Sequence, residues 1–179
     1  VYVVNAKVEV ADFDIRFGGL ARSHTNFFEL VIGESHFEHT GQLVADASGY
    51  PANSGPGAPG HNGERSCGGS YANLGGRGDS CTAYGSVYGS LFLDSGLEPG
   101  SGGGGDHGGA GGGLLQVLVG GELQVDGLIS SNGGDASDYD GGGSGGGVYI
   151  NTERLFGHGV IQANGGTGSS YAGGGSGGS

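Results

Sequence analysis

Residues 157–168 read GHGVIQANGGTG, and two earlier stretches, VDGLISSNGGDA at 125–136 and HTGQLVADASGY at 39–50, follow the same order of residue types. Each stretch has a glycine, a few apolar or small residues, an Asx residue and then small flexible residues. Asn132 and Asn164 are 32 positions apart, and Gly113 and Gly147 are 34 apart. A unit of about 32–34 residues built from short strands and glycine loops is typical of a β-solenoid, whose coils bury their apolar faces by stacking.

The composition is that of a glycine-rich chain with enough apolar residues to fold. Glycine accounts for 48 of 179 residues, yet 34% of the chain is hydrophobic, which opposes general disorder. The net charge is −12 with only six Lys and Arg residues, which argues against nucleic acid and anionic membranes as partners. No apolar run approaches the length of a membrane span, so we expect no membrane insertion. Because the chain contains no Met, we interpret it as a processed or excised piece of a larger protein.

The chain divides into three predicted regions. Residues 1–45 alternate apolar and polar side chains, as in VYVVNAKVEV at 1–10, and predict N-terminal strand coils. Residues 46–113 form a glycine-rich loop region that contains both cysteines and a strand-like stretch at 82–94. Residues 114–179 carry the clearest repeats, LLQVLV, ELQV and LISSN and then VYIN, TERLF and VIQAN. The predicted fold class is all-β: a parallel β-helix or β-solenoid with glycine-rich loops and almost no helix.

The glycines have two predicted roles. Asn-Gly-Gly at 132–134 and 164–166 suits sharp corners, because Gly and Asn adopt positive φ readily. Runs such as GGGSGGG at 141–147 contain more glycines than corners require. Such runs either pack backbone to backbone as polyproline-II-like strands or form disordered loops, and the sequence leaves both alternatives open.

Cys67 and Cys81 have neither the spacing of a zinc pair nor a following pair of histidines. One disulfide formed in an oxidising compartment is therefore favoured over two free thiols. In the chain-entropy model, closing a loop of about 15 residues stabilises the fold by roughly 3 kcal/mol.

A series of motifs over roughly residues 40–179 resembles a family of very large, glycine-rich extracellular repeat proteins. In chain order the motifs are VADASGYPANSGPGAPG, GGSYANLGGRG, AYGSVYGSLFLDSGLEPGSGGGG, GGAGGGLLQVLVGGELQVDGLISSNGG, GGGSGGGVYINTERLFGHGVIQANGG and GGGSGG. The resemblance implies a parallel β-helix-like fold in a secreted or cell-surface context. The chain departs from the pattern in the insertion that carries Cys67 and Cys81.

Two stretches are candidate binding sites. Arg77-Gly78-Asp79-Ser80 matches an integrin-ligand tetrapeptide, although such a match arises easily in a chain rich in Gly, Asp and Ser. Asp135, Asp138 and Asp140 offer several oxygens to Ca²⁺, and the alternative is a solvated acidic loop. Calcium is the one cofactor that the sequence leaves open.

The leading functional hypothesis is a structural segment of an extracellular filament, sheath or cell-surface fibre. Solenoid ends are unpaired edges, so we expect self-assembly or a tandem array, with the 1–10 strand as a docking edge. The alternative is an adhesin module that binds a glycan or a cell-surface receptor through its loops, using stacking surface from Tyr71, Tyr84, Tyr88, Tyr139 and Tyr171. We do not expect an enzyme, because the six basic residues are scattered and form no catalytic set with clustered acids.

Overall fold

The fold was analysed in a computed structural model of the chain. It describes residues 41–60, 66–89 and 97–179, together with the backbone of five earlier strands. The strands in chain order are β1 (Tyr2–Val3), β2 (Lys7–Val10), β3 (Leu20–Ser23), β4 (Phe27–Ile32), β5 (His36–His39), β6 (Gln42–Val44), β7 (Leu114–Val119), β8 (Glu122–Val125), β9 (Leu128–Ser130), β10 (Gly147–Asn151), β11 (Arg154–Phe156) and β12 (Val160–Gln162).

These strands form three sheets in which every pairing is parallel. Their orders are β1-β3-β6-β9-β12, β10-β7-β4-β2 and β11-β8-β5. From β4 onward, consecutive strands join the three sheets in a fixed rotation, so that β4, β5 and β6 are followed by β7, β8 and β9 and then by β10, β11 and β12. Within the described residues no helix occurs, which confirms the prediction of a mostly β protein.

The register of the sheets matches the repeat seen in the sequence. Leu123 pairs with Leu155, 32 positions later, and Ile129 pairs with Ile161 at the same interval. A set of three successive strands, one in each sheet, is here called a rung. Pairs that involve earlier strands have other intervals: Lys7 pairs with Glu29, 22 positions on, whereas Phe27 pairs with Leu114 across an interval of 87. The long interval arises because the described residues between β6 and β7, 45–60, 66–89 and 97–113, belong to no strand. Strands of the predicted 1–45 and 114–179 regions therefore lie in the same sheets.

The apolar core lies between the sheets. Alternate side chains of β7 and β8 point inward, as expected for strands with one buried face. The buried cluster comprises Leu43, Ala45, Leu115, Val117, Val119, Leu123, Val125 and Ile129. Val148 and Ile150 of β10 pack against this cluster and are only partly buried.

A second packed body, here called the glycine bundle, is built from the glycine-rich segments 66–76, 100–113, 131–134, 141–146 and 163–178. Successive backbone N–H groups of segment 141–146 donate to three neighbouring segments in turn, and the order repeats after three residues. The accepting carbonyls, in donor order, belong to Gly104, Gly173, Gly134, Ser101, Ser176 and Ser131, at N···O distances of 2.8–3.0 Å. Residues 100–105 and 141–147 are buried.

Glycine is required in the bundle because the backbones are in direct contact. A Cβ at Gly143 would overlap the carbonyl group of Ala110, and one at Gly103 would overlap that of Gly141. At Gly177, by contrast, the nearest atom to a Cβ would be 3.8 Å away. The predicted positive-φ corners at 132–134 and 164–166 are wrong, because none of these residues has a positive φ. Glycine is needed there because a Cβ at Gly133 or Gly166 would overlap a neighbouring carbonyl group.

Two strand predictions have different outcomes. The strand-like stretch at 82–94 is wrong over residues 82–89, which form no strand, and its remainder lies outside the described residues. Residues 11–19 of the predicted N-terminal strand coils also lie outside them. In 82–89 the apolar side chains of Tyr84 and Val87 are exposed, so they do not form the buried face of a sheet.

Candidate functional site

The predicted disulfide between Cys67 and Cys81 is confirmed. The two Cα atoms are 5.2 Å apart and both cysteines are buried. Cys67 lies in a buried segment of the glycine bundle, and Cys81 ends the turn that carries the Arg-Gly-Asp motif. The disulfide therefore ties this turn to the bundle.

Four β-turns meet at one end of the glycine bundle and form a surface that we call the turn tip. The turns are 78–81, 105–108, 137–140 and 169–172, and each is closed by a hydrogen bond from its last N–H to its first carbonyl. Hydrogen bonds also join each turn to the next: Asp79 N–H to Tyr171 O, Ser169 N–H to Asp140 O, and Ser137 N–H to His107 O. Residues far apart in sequence are thus held in one row.

The Arg-Gly-Asp motif lies at one end of this row. Arg77 and Asp79 are exposed, whereas Gly78 is buried. The Asp79 amide donates to Tyr171 O at 2.9 Å, so the motif is adjacent to the neighbouring turn. Its role in binding remains a prediction.

The structure does not bring the three predicted calcium ligands together. The Asp135 Oδ1 atom accepts the Thr167 amide at 2.7 Å, and the nearly buried Asp140 accepts the His107 amide at 2.7 Å. Asp138 and Asp140 instead lie 3.8 and 3.7 Å from the His107 ring nitrogen. Among the described residues no three or more His, Cys, Asp or Glu side chains are grouped to hold a metal ion.

The tyrosines that were predicted to supply stacking surface separate into two groups. Tyr71 and Tyr88 pack edge to face inside the protein, with centroids 4.7 Å apart, and burial raises the pKa of both phenols. Their hydroxyls donate to Glu98 O and Pro99 O, so these two residues anchor a loop and are not available as a binding surface. Tyr84 is exposed away from this pair.

Tyr139 and Tyr171 form the exposed group at the turn tip. They are 45% and 63% exposed, and their rings lie 17° from parallel with centroids 6.5 Å apart. They are 32 positions apart in the sequence, which is the interval of the repeat. Each occupies the third residue of its turn.

Both exposed tyrosines have strained backbones, with φ of 68° at Tyr139 and 63° at Tyr171. Turns of this kind favour Gly or Asn at that position, and a non-glycine residue there costs about 1–3 kcal/mol. An aromatic pair contributes about 0.5–1.5 kcal/mol, at centroid separations of roughly 4.5–7 Å, and this pair is near the long end of that range. The free energy of the contact between the two rings is therefore too small to offset the strain energy of the two residues, and glycine, which would avoid this strain, is abundant in the chain.

A ladder of side-chain acceptors connects successive rungs. The backbone N–H of Asn132 donates to Asp46 Oδ1 at 2.7 Å, and the backbone N–H of Asn164 donates to Asn132 Oδ1 at 2.8 Å. The bond between Asp135 and Thr167 has the same form, and it lowers the pKa of the Asp135 carboxyl. The Asx residue repeated in the sequence is thus the link between stacked rungs.

This ladder predicts a specific acid response. Because the folded-state pKa of Asp135 is lowered, its contribution to stability is present above the ordinary pKa of about 3.9 and is lost as pH falls through the folded-state value. Asp135→Asn keeps a carbonyl acceptor without a titrating proton, so we expect its stability to decline less steeply below about pH 4. Urea unfolding midpoints at a series of pH values measure this. The reverse substitution, Asn132→Asp, should steepen the decline, and equal pH profiles for all three proteins would contradict the prediction.

Part of the turn tip had no signal in the sequence. The interval between Tyr139 and Tyr171 equals the repeat, so alignment of the repeats would have paired these two residues. His107 lies in a glycine run without any pattern, and only the fold brings it to Asp138 and Asp140.

None of the described residues belongs to a helix long and apolar enough to span a membrane. Comparison of the chain with known protein families, with curated proteins and with solved structures found no match.

Proposed function

We propose that this chain is a three-sided parallel β-solenoid with a polyproline-II-like glycine bundle on one side. The support is the fixed rotation of strands among three parallel sheets and the spacing of equivalent residues by one rung. The bundle interpretation is supported by hydrogen bonds that change direction with a period of three, because a polyproline II helix has three residues per turn.

The function that these features support best is structural: a segment of an extracellular filament, sheath or cell-surface fibre that assembles through exposed β edges. An extracellular location is supported by the buried disulfide, which forms and persists in oxidising compartments. No enzymatic activity is part of this proposal.

The observation that carries the proposal is the open apolar end of the stack. Leu155 and Ile161, in β11 and β12, are 48% and 41% exposed, whereas their partners Leu123 and Ile129 in the preceding rung are 0% and 1% exposed. The outer edges of β11 and β12 form no further pair among the described strands, and at the outer edge of β10 the Val148 N–H donates to Ser179 O at 2.7 Å. Another rung placed here would bury these side chains and complete the backbone hydrogen bonds.

Assembly can be tested by placing a charge at this end. We expect the unmodified chain to form filaments, visible by cryo-electron microscopy, with an axial strand spacing of about 4.8 Å. Ile161→Glu should prevent assembly, because a buried unpaired carboxylate would replace an apolar contact. Leu74→Glu is the matched control, since Leu74 is 54% exposed but lies outside the strands.

Sedimentation and circular dichroism distinguish loss of assembly from loss of fold. The Ile161→Glu protein should sediment as a monomer with an unchanged strand signal, and Leu74→Glu should still polymerise. An unmodified chain that stays monomeric at every concentration, or an Ile161→Glu protein that assembles normally, would contradict the proposal.

The turn tip supports a second candidate, an adhesive module that contacts a glycan or a receptor. It holds the exposed residues Arg77, Asp79, Tyr139 and Tyr171 in one row of hydrogen-bonded turns. Attachment of protein-coated beads to cells tests this role directly, and beads that attach no better than uncoated ones would exclude it.

A further inference from the structure

The turn tip carries an exposed aromatic surface whose backbone geometry is unfavourable for its residues. Tyr139 and Tyr171 repeat at the same place in successive rungs, both at positive φ, and both rings remain accessible to solvent. Glycine at either position would remove the strain, and glycine is abundant in this chain, at 48 of 179 residues. The tyrosine rings therefore need an explanation other than turn formation.

The two rings together make a stepped aromatic surface. They are nearly parallel, and the 6.5 Å between their centroids means that they are staggered rather than fully overlapped. The face of an aromatic ring carries partial negative charge and attracts the polarised C–H groups of a sugar ring. Two such faces at the interval of one rung suit consecutive sugar units of an extended chain.

Polar groups around the rings suit sugar hydroxyls. Asp138 precedes Tyr139 in the same turn, and its carboxylate is exposed beside the His107 ring. Asp79 and Asp106 are exposed in the flanking turns, and the exposed Arg77 beside the 78–81 turn adds one positive charge, which these carboxylates outnumber. Carboxylates accept hydrogen bonds from hydroxyl and amino groups, whereas they repel carboxylated or sulfated sugars.

We propose that Tyr139 and Tyr171 form a binding platform for a polysaccharide that carries no acidic groups. The inference rests on the adhesive candidate function and specifies its ligand class. It is independent of filament assembly, because the platform lies on the glycine bundle and the assembly surface lies on β11 and β12.

Binding of defined oligosaccharides by isothermal titration calorimetry tests the platform. The probes are hexamers of β-1,4-linked glucose, N-acetylglucosamine and glucosamine, with a galacturonic acid hexamer as the acidic comparison. We expect at least one of the first three to bind and the galacturonic acid hexamer not to bind. Binding to none of them, or strongest binding to the acidic hexamer, would overturn the proposal.

Substitutions at Tyr171 separate the ring from the fold. Tyr171→Gly removes the ring at a position whose φ of 63° suits glycine, so the turn should be kept and the affinity should fall at least tenfold. Tyr171→Phe keeps the aromatic face and should bind within about threefold of the unmodified protein, and Tyr84→Ala is the control for an exposed tyrosine elsewhere. Unchanged affinity in Tyr171→Gly would overturn the platform.

Bead attachment to cells, measured on the same proteins, distinguishes this inference from the adhesive function itself. Sugar binding that is lost in Tyr171→Gly supports the platform even where the beads do not attach, a result that would contradict only the adhesive role. Attachment by a protein that binds none of the hexamers overturns the platform and leaves adhesion supported.

Discussion

Gly143→Ala is expected to destabilise the protein by about 3 kcal/mol or more, which is at or above the upper end of the usual range for overpacking. The added methyl group would overlap the carbonyl of Ala110, and backbone atoms cannot move aside as a flexible side chain can. Gly143 also donates to Gly134 and accepts from Gly166, so a shift to relieve the overlap would weaken both hydrogen bonds.

Gly177→Ala is the matched control in the same bundle. The new methyl group would lie 3.8 Å from its nearest neighbour, and the residue is exposed. Replacing glycine at a compatible position restricts the unfolded chain, so we expect no loss, or a gain of about 0.4–1 kcal/mol. Urea unfolding of both variants, compared at constant m-value, measures the difference. Equal stabilities would mean that the glycine runs are tolerant loops and that the described packing does not stabilise the fold.

Leu123→Ala is expected to destabilise the protein by about 2–5 kcal/mol, because it leaves a cavity in the core between the sheets. Leu123 is fully buried in the apolar cluster and pairs with Leu155 of the next rung. The same substitution at Leu155, whose side chain is 48% exposed, should reduce stability by a much smaller amount in the monomer.

These two leucines have the same strand position, so the comparison isolates burial from sequence context. Thermal or urea unfolding at a concentration below assembly gives the monomer values. Equal losses at both positions would show that β11 is covered in the isolated chain and would contradict an open end. In assembled material, the proposal predicts that the effect of Leu155→Ala approaches that of Leu123→Ala.

Much of the sheet structure could be predicted from the sequence. The stretches LLQVLV, ELQV and VYIN are short runs rich in apolar residues between glycines, and each lies within a strand of the structure. The repeat interval of 32 between Asn132 and Asn164 is the interval of the rungs, because one rung uses one copy of the motif. The stretch 82–89 was misread, since alternation predicts a strand only where a sheet face is available to bury the apolar residues.

The candidate site could be predicted only in part. Tyr139 and Tyr171 are among the predicted stacking residues, but so are the buried Tyr71 and the half-buried Tyr88, whose rings pack against each other. The calcium hypothesis grouped three aspartates by their closeness in sequence. In the folded chain Asp135 faces Thr167 and Asp140 faces His107, because the turn at 137–140 reverses the backbone between them.

The sequence by itself determined the strands of the 114–179 repeats, the length of the repeat and the pairing of the two cysteines, since these depend on short apolar runs, spacing and the presence of only two thiols. The tertiary structure alone decided how the glycine segments pack and which turns meet at the tip. A glycine run carries no side-chain pattern that could specify its neighbours, so its partners are set by the strands that anchor its two ends. Burial at equivalent strand positions was likewise decided by the tertiary structure, because Leu155 and Leu123 differ in exposure and not in residue type.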